Sequence, residues 1–147
     1  MSIHLNGRIS YRSSVKPGGP PGEREVIELN PQRRANILRI AGWIALEPGT
    51  LNIDLEQTQF DQLTADAAEW IEDASSVTYP PPYQYIPRKR EAYFYYLATL
   101  HAHAKTSNVV VRRAKFPGPI RIEAYAPENL TNLLGLKSGD GVELHIR

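Results

Sequence analysis

At 147 residues the chain has the length of one domain and can bury a single core. Apolar residues make up 41% and charged residues 22%, a balance that excludes a solvating disordered chain. Lys plus Arg number 17 against 16 Asp plus Glu, for a formal charge of +1, and there is no cysteine; this argues against a general nucleic-acid binder and excludes disulfides, thiol nucleophiles and zinc-thiolate sites.

No apolar run approaches the roughly 18 residues of a membrane-spanning helix. The opening MSIHLNGRISYRSS lacks the apolar centre of a secretory signal. A cytoplasmic protein with no membrane partner is therefore expected. The 12 prolines and 10 glycines cluster and punctuate the chain. Lys16 to Gly22, KPGGPPG, reads as a loop, because prolines and glycines hold neither a helix nor a central strand. Glu25 to Leu29 reads as a short strand carrying the β-branched Val26 and Ile27. Asn30 is placed as an N-cap with Pro31 in the first helical position, and Ala35, Leu38 and Ala41 are helix-spaced up to Gly42. A helix over 31–41 follows from these signals.

Glu47-Pro48-Gly49 predicts a type II turn, and Leu51, Ile53 and Leu55 alternate with Asn52, Asp54 and Glu56 as in a half-buried strand. Phe60, Leu63, Ala67, Trp70 and Ile71 then follow helical spacing, with acidic positions 61, 66, 69, 72 and 73 on the other side, so a helical insertion over 58–73 is predicted. Tyr79 to Tyr83 is an extended connector. Residues 91–100 and 108–116 are dense in strand formers, with HAHAKTS between them as a hairpin connection. Ile120 to Tyr125 is a further strand. Pro127 to Leu134 is a short helix closed by Gly135, and Gly141 to Ile146 is the last strand. One mainly β domain spanning 1–147 is expected, a closed β-barrel with a few short helices. The chain has no βαβ alternation, GxGxxG, Walker loop or solenoid repeat.

Chemistry concentrates in Pro48-Gly49-Thr50-Leu51-Asn52-Ile53. In a strand, Leu51 and Ile53 enter the core while Thr50 and Asn52 share the other face. Their neutral oxygens suit magnesium that already carries phosphate oxygens; the alternative is a plain turn with solvated polar residues. Glu123 lies between Ile122 and Ala124. A carboxyl among apolar neighbours suits proton transfer, and the alternative is a strand carboxylate paired with Arg121 or Arg112. His101 and His103 would share a strand face as a metal pair, with His4 and His145 the remaining histidines. Arg88-Lys89-Arg90 beside Tyr93, Phe94, Tyr95 and Tyr96 makes a small basic, aromatic run, though strand alternation sends half of those rings into the core. Tyr83 and Tyr85, flanked by prolines, border a ligand mouth or stiffen a loop.

Two blocks carry a family resemblance. Ile40 to Asn52, IAGWIALEPGTLN, resembles the helix, Leu-Gly-Phe, proline and PGTLN signature of the archaeal CTP-dependent riboflavin kinases. Residues 122–142, IEAYAPENLTNLLGLKSGDGV, are similar to that family's Ala-Pro, Asn-Leu and Leu-Gly-Leu-x-x-Gly-Asp-x-Val block, in the same order along the chain. Together they span about a third of the sequence. The resemblance implies a small six-stranded barrel of cradle-loop type that transfers the terminal phosphate of CTP to the 5′-hydroxyl of riboflavin, giving FMN and CDP. It implies that Thr50 and Asn52 hold Mg2+ and that Glu123 lies by the ribityl chain and accepts the hydroxyl proton. Glu128, Asn129, Leu130 and Thr131 would line the nucleotide, and Gly18, Gly19 and Gly22 with Arg24 would wrap the polyphosphate.

The chain also departs from the pattern. Its N-terminal loop carries three prolines, where the family has Gly-x-Gly-Glu-Gly and an aromatic residue. No threonine follows the Val109 to Arg113 strand, which leaves Phe116 as the candidate ring to stack on the flavin. The connection to Glu123 is about one residue shorter. Two alternatives therefore stand beside the kinase: a nucleotide- or flavin-sensing module without turnover, and a swapped-hairpin DNA-binding regulator suggested by the C-terminal block and the basic run.

Overall fold

A computed structural model describes residues 3–10, 25–73, 81, 92–116 and 120–147. In chain order the elements are β1 (Ile3–Ser10), α1 (Glu25–Glu28), α2 (Pro31–Ala41), β2 (Leu51–Asp54), α3 (Gln57–Phe60), β3 (Trp70–Asp73), β4 (Ala92–Ala102), β5 (Lys105–Ala114), β6 (Arg121–Tyr125), α4 (Leu130–Leu134) and β7 (Gly141–Ile146). Every strand pairing is antiparallel, and the sheet order is β3-β4-β5-β6-β2-β1-β7. β7 also pairs with β4, which closes six strands into a barrel and leaves β3 outside it. The length of β4 makes this possible: along one edge residues 92–95 meet β3 and residues 98–101 meet β7.

Strand alternation divides the apolar residues between two cores. Leu51, Ile53, Phe94, Tyr96, Val109, Val111, Ile122 and Ala124 fill the barrel. The residues between them face outward, and Tyr95, Val110 and Tyr125 are covered there by Ile27, Ile37 and Leu46. The aromatic run on β4 is thus buried on both faces, with Phe94 and Tyr96 inside the barrel and Tyr95 beneath the helices.

Helix α2 has the predicted ends. The Asn30 side chain accepts from Arg33 N at 3.1 Å, and Gly42 closes the helix in the left-handed region at φ 72. Its buried stripe, however, is Arg33 and Ile37, and Ala35 is exposed. The strands at 91–100, 108–116, 120–125 and 141–146 are present, and the hairpin is tighter than expected. β4 and β5 run to a two-residue turn, His103-Ala104, both at positive φ as a type I′ turn requires.

Several expectations are corrected. Residues 25–28 form a helical turn rather than a strand, with Ile27 turned under the sheet's outer face. The helical insertion over 58–73 is absent: α3 ends at Phe60, and β3 adds an edge strand in which Trp70 stacks on Tyr95 at 4.4 Å. Pairing with β4 overrides the 3.6-residue spacing there. The bend at Pro48-Gly49 is not type II, since Gly49 is not among the positive-φ glycines. The Glu47 carboxylate instead accepts from Gly49 N at 3.3 Å. Strand β1 was not among the predicted elements, although Ile3, Leu5 and Ile9 alternate with His4, Asn6 and Arg8.

Candidate functional site

Sheet register sets a line of side chains across the barrel's outer face. Trp70 pairs with Tyr95, Tyr95 with Arg112, Arg112 with Glu123, Glu123 with Asn52, and Asn52 with Ser10. The two sequence blocks are therefore neighbours. Leu51 and Ile53 point inward as expected, Asn52 lies opposite Glu123, and Glu47 N donates to Ala126 O at 2.9 Å beyond the strand ends. Thr50, just ahead of β2, leads into this line.

Charge is buried along it. Arg112 Nη2 meets Glu123 Oε2 at 2.7 Å, with the two side chains 8% and 13% exposed. The pairing with Arg112 is thus one of the two anticipated for Glu123; Arg121 instead meets Asp54 at 2.9 Å. The Tyr125 hydroxyl lies 3.4 Å from Glu123 Oε2. A second pair stands alongside: Arg33 Nη2 donates to Glu72 Oε1 at 2.7 Å, Arg33 Nε donates to both carboxylate oxygens, and the Tyr95 hydroxyl donates to Glu72 Oε1 at 3.0 Å. The Tyr93 ring faces both guanidiniums, with Cζ of Arg112 at 4.3 Å and of Arg33 at 5.3 Å from its centroid.

Burial opposes the charge on both arginines, and Arg112 adds to the penalty on Arg33. The Glu72 carboxylate beside Arg33 and the Glu123 carboxylate beside Arg112 offset that cost, and both guanidiniums stay above the ordinary arginine range. Burial likewise pushes Tyr95 and Tyr125 upward, which keeps both phenols neutral donors at physiological pH. Among the described residues, Thr50 Oγ1 and Arg112 Nη1 are buried with no hydrogen-bond partner. An orphaned hydroxyl oxygen and an orphaned guanidinium N–H in one neighbourhood suit a ligand that brings an anion and a cation together. Thr50 Oγ1 beside the carboxamide of Asn52 is a neutral, hard donor set that fits Mg2+ sharing phosphate oxygens.

The other predicted residues fall elsewhere. Asn129 caps α4, its side chain accepting from Asn132 N at 3.0 Å. Glu128 is exposed, Thr131 half-buried, and the Leu130 side chain belongs to the barrel core. Phe116 is half-exposed past the end of β5, with Lys115 Nζ at 5.3 Å over its ring. Gly18, Gly19, Gly22, Arg24, Tyr83, Tyr85 and the 88–90 basic run lie outside the described residues. His101 and His103 do not form a pair: His103 Nε2 meets Asp140 Oδ2 at 2.8 Å, while the His101 ring lies against His145. A groove of about 940 Å³ opens elsewhere, lined among others by Arg8, Asp54, Glu56, His101, His103 and Glu143, and not by Thr50, Asn52 or Glu123.

Arg33, Glu72, Tyr95 and Tyr125 carry no local sequence signal for this network. Arg33 and Glu72 stand 39 positions apart, and only the edge strand that replaces the expected helix brings them together. Among the described residues no helix is long and apolar enough to cross a membrane. The sequence matches no protein-family model and no curated protein.

Proposed function

We propose that the chain is a phosphotransferase that moves the terminal phosphoryl group of CTP onto the 5′-hydroxyl of riboflavin, giving FMN and CDP. The observation that carries this reading is the pairing of Asn52 with Glu123, which sets the carboxamide of the PGTLNI segment beside the acid of the IEAYAPEN segment. The orphaned Thr50 Oγ1 and Arg112 Nη1 add to it, because each gains a partner when a phosphorylated ligand arrives with its cation. The nucleotide and the flavin enter from the resemblance of those two segments.

Thr50 and Asn52 would hold Mg2+, which when bound neutralises charge on the transferred group. Arg112 has two tasks: Nη2 keeps its bond to Glu123, and Nη1 donates to a phosphoryl oxygen. Glu123 takes the proton of the attacking hydroxyl as the new oxygen–phosphorus bond forms and the bond from phosphorus to the CDP oxygen breaks. Tyr125 and Arg112 hold that carboxylate from two sides. Phosphoryl transfer asks for positioning and charge neutralisation more than covalent help, so this short inventory is sufficient.

The Arg112–Glu123 pair also favours a second reading. An acid already engaged at 2.7 Å suits a barrel that binds nucleotide or flavin without turnover. Incubating the protein with riboflavin, MgCl2 and either CTP or ATP, and following FMN by chromatography, separates the two. The kinase reading expects FMN formation that falls at least about a hundredfold in Glu123→Gln and is lost in Asn52→Ala, with circular dichroism showing both variants folded. Saturable binding of riboflavin or CTP without product moves the assignment to the binding module. Neither product nor binding rejects both.

A further inference from the structure

On the far side of the barrel, neighbouring outward positions of three paired strands bring three imidazoles and a carboxylate together, with Asn6 and Thr99 at the ends of the two rows. His4 of β1 lies opposite His145 of β7, and Glu143 of β7 lies opposite His101 of β4. Leu5, Leu100, Val142 and Leu144 point into the barrel, so alternation turns His4, His101, Glu143 and His145 outward together. The His4 and His145 rings stack 4.1 Å apart at 10°, and the His101 ring centroid lies 4.2 Å from that of His145. One donor atom each from His4, Glu143 and His145 falls within a common 4.8 Å span.

The geometry points to a second metal site, for a zinc-class divalent cation, formed by His4, His145 and Glu143 with His101 as the adjacent fourth donor. Two ligands held at about 2.1 Å from one ion stand at most ~4.2 Å apart, so side-chain rotations that tilt the stacked His4 and His145 rings toward a common point bring the donors into range. Nitrogen donors with one carboxylate match Zn2+, Ni2+ or Cu2+ and do not match Mg2+, which prefers an all-oxygen shell. The present contacts already resemble a ligand set closed by a proton: His145 Nε2 and Glu143 Oε1 share one at 2.6 Å. A metal takes its place and the proton leaves to solvent. Three imidazoles to a single carboxylate is a poor balance for protonated rings, because stacked like charges repel; it is a good balance for a dication. His101 and Glu143 also line the 940 Å³ groove, so a bound ion has a wall of that groove as its open side.

The full-length protein titrated with ZnCl2 by calorimetry is expected to bind one ion per chain, with a rise in thermal midpoint by mass action. His4→Asn and His145→Asn are each expected to weaken binding by roughly tenfold or more. His103→Asn, whose ring pairs with Asp140 instead, leaves affinity unchanged, as does excess MgCl2. These substitutions lie on exposed or half-exposed outward positions, so the variants fold. Stoichiometric binding that survives both His4→Asn and His145→Asn, or no saturable binding below about 100 μM, overturns the site. Neither outcome bears on FMN formation, whose residues lie on another part of the sheet.

Discussion

Glu72 occupies a position where a single atom change has a large expected effect. Its carboxylate meets Arg33 Nη2 at 2.7 Å, and the Arg33 and Glu72 side chains are 2% and 8% exposed. Glu72→Gln removes the negative charge from this buried pair, a change that costs about 3–5 kcal/mol in comparable cases. A double change to apolar residues, Arg33→Met with Glu72→Leu, is expected to cost much less, because it removes the desolvation penalty along with the attraction. Urea unfolding of the single and double variants measures the difference; equal losses would show that the pair does not act as a buried unit. In sequence, Glu72 reads as one of five acids on a solvated helix face. It is instead the buried one, because a strand turns alternate residues to opposite faces, and Glu72 points with Trp70 while Ile71 and Asp73 turn out.

Elements show why the barrel strands were legible and the edge strand was not. Leu51-Asn52-Ile53 and Ile122-Glu123-Ala124 alternate cleanly, and a period of two with one face in the core has a single solution. Trp70 to Asp73 has no such pattern of its own and becomes a strand only because the free edge of β4 offers partners. Strand β1 was missed where Gly7 interrupts its alternation, and the interruption has a steric cause. A Cβ at Gly7 would sit 2.5 Å from Ile53 Cγ2 and 2.9 Å from Asp54 O. Since backbone oxygen cannot swing aside, Gly7→Ala is expected to destabilise by about 1–3 kcal/mol, read as a lower urea midpoint at constant slope. An unchanged midpoint would mean that β1 and β2 separate more freely than their register implies.

For the whole molecule, acid stability should follow two carboxylates at and near the start of β7, Asp140 paired with His103 of the β4–β5 turn and Glu143 with His145. Asp140 is held below its ordinary value first by the His103 hydrogen bond and then by Lys137 N; Glu143 is lowered first by His145, with His101 and His4 adding to the effect. A carboxyl depressed in the folded state contributes stability above its unfolded pKa and loses it as pH falls through the folded one. The window therefore lies below the ordinary values of 3.8 and 4.5. In thermal melts across that range, Asp140→Asn and Glu143→Gln should lose less on acidification than the parent protein; parallel acid limbs would remove both groups from the account.

Composition, turn residues and period-two alternation were enough to specify a mainly β barrel, the ends of α2, and the inward turn of Leu51 and Ile53, because each rests on patterns legible among near neighbours in the chain. Tertiary structure alone decided the Arg33–Glu72 pair, the Arg112–Glu123 pair as a buried contact, and the histidine row of β1, β4 and β7. The edge strand β3 brings Glu72 under Arg33, the β5–β6 pairing sets Arg112 against Glu123, and the β7 pairings that close the barrel align the histidines, and no local pattern encodes which outward positions those pairings will align.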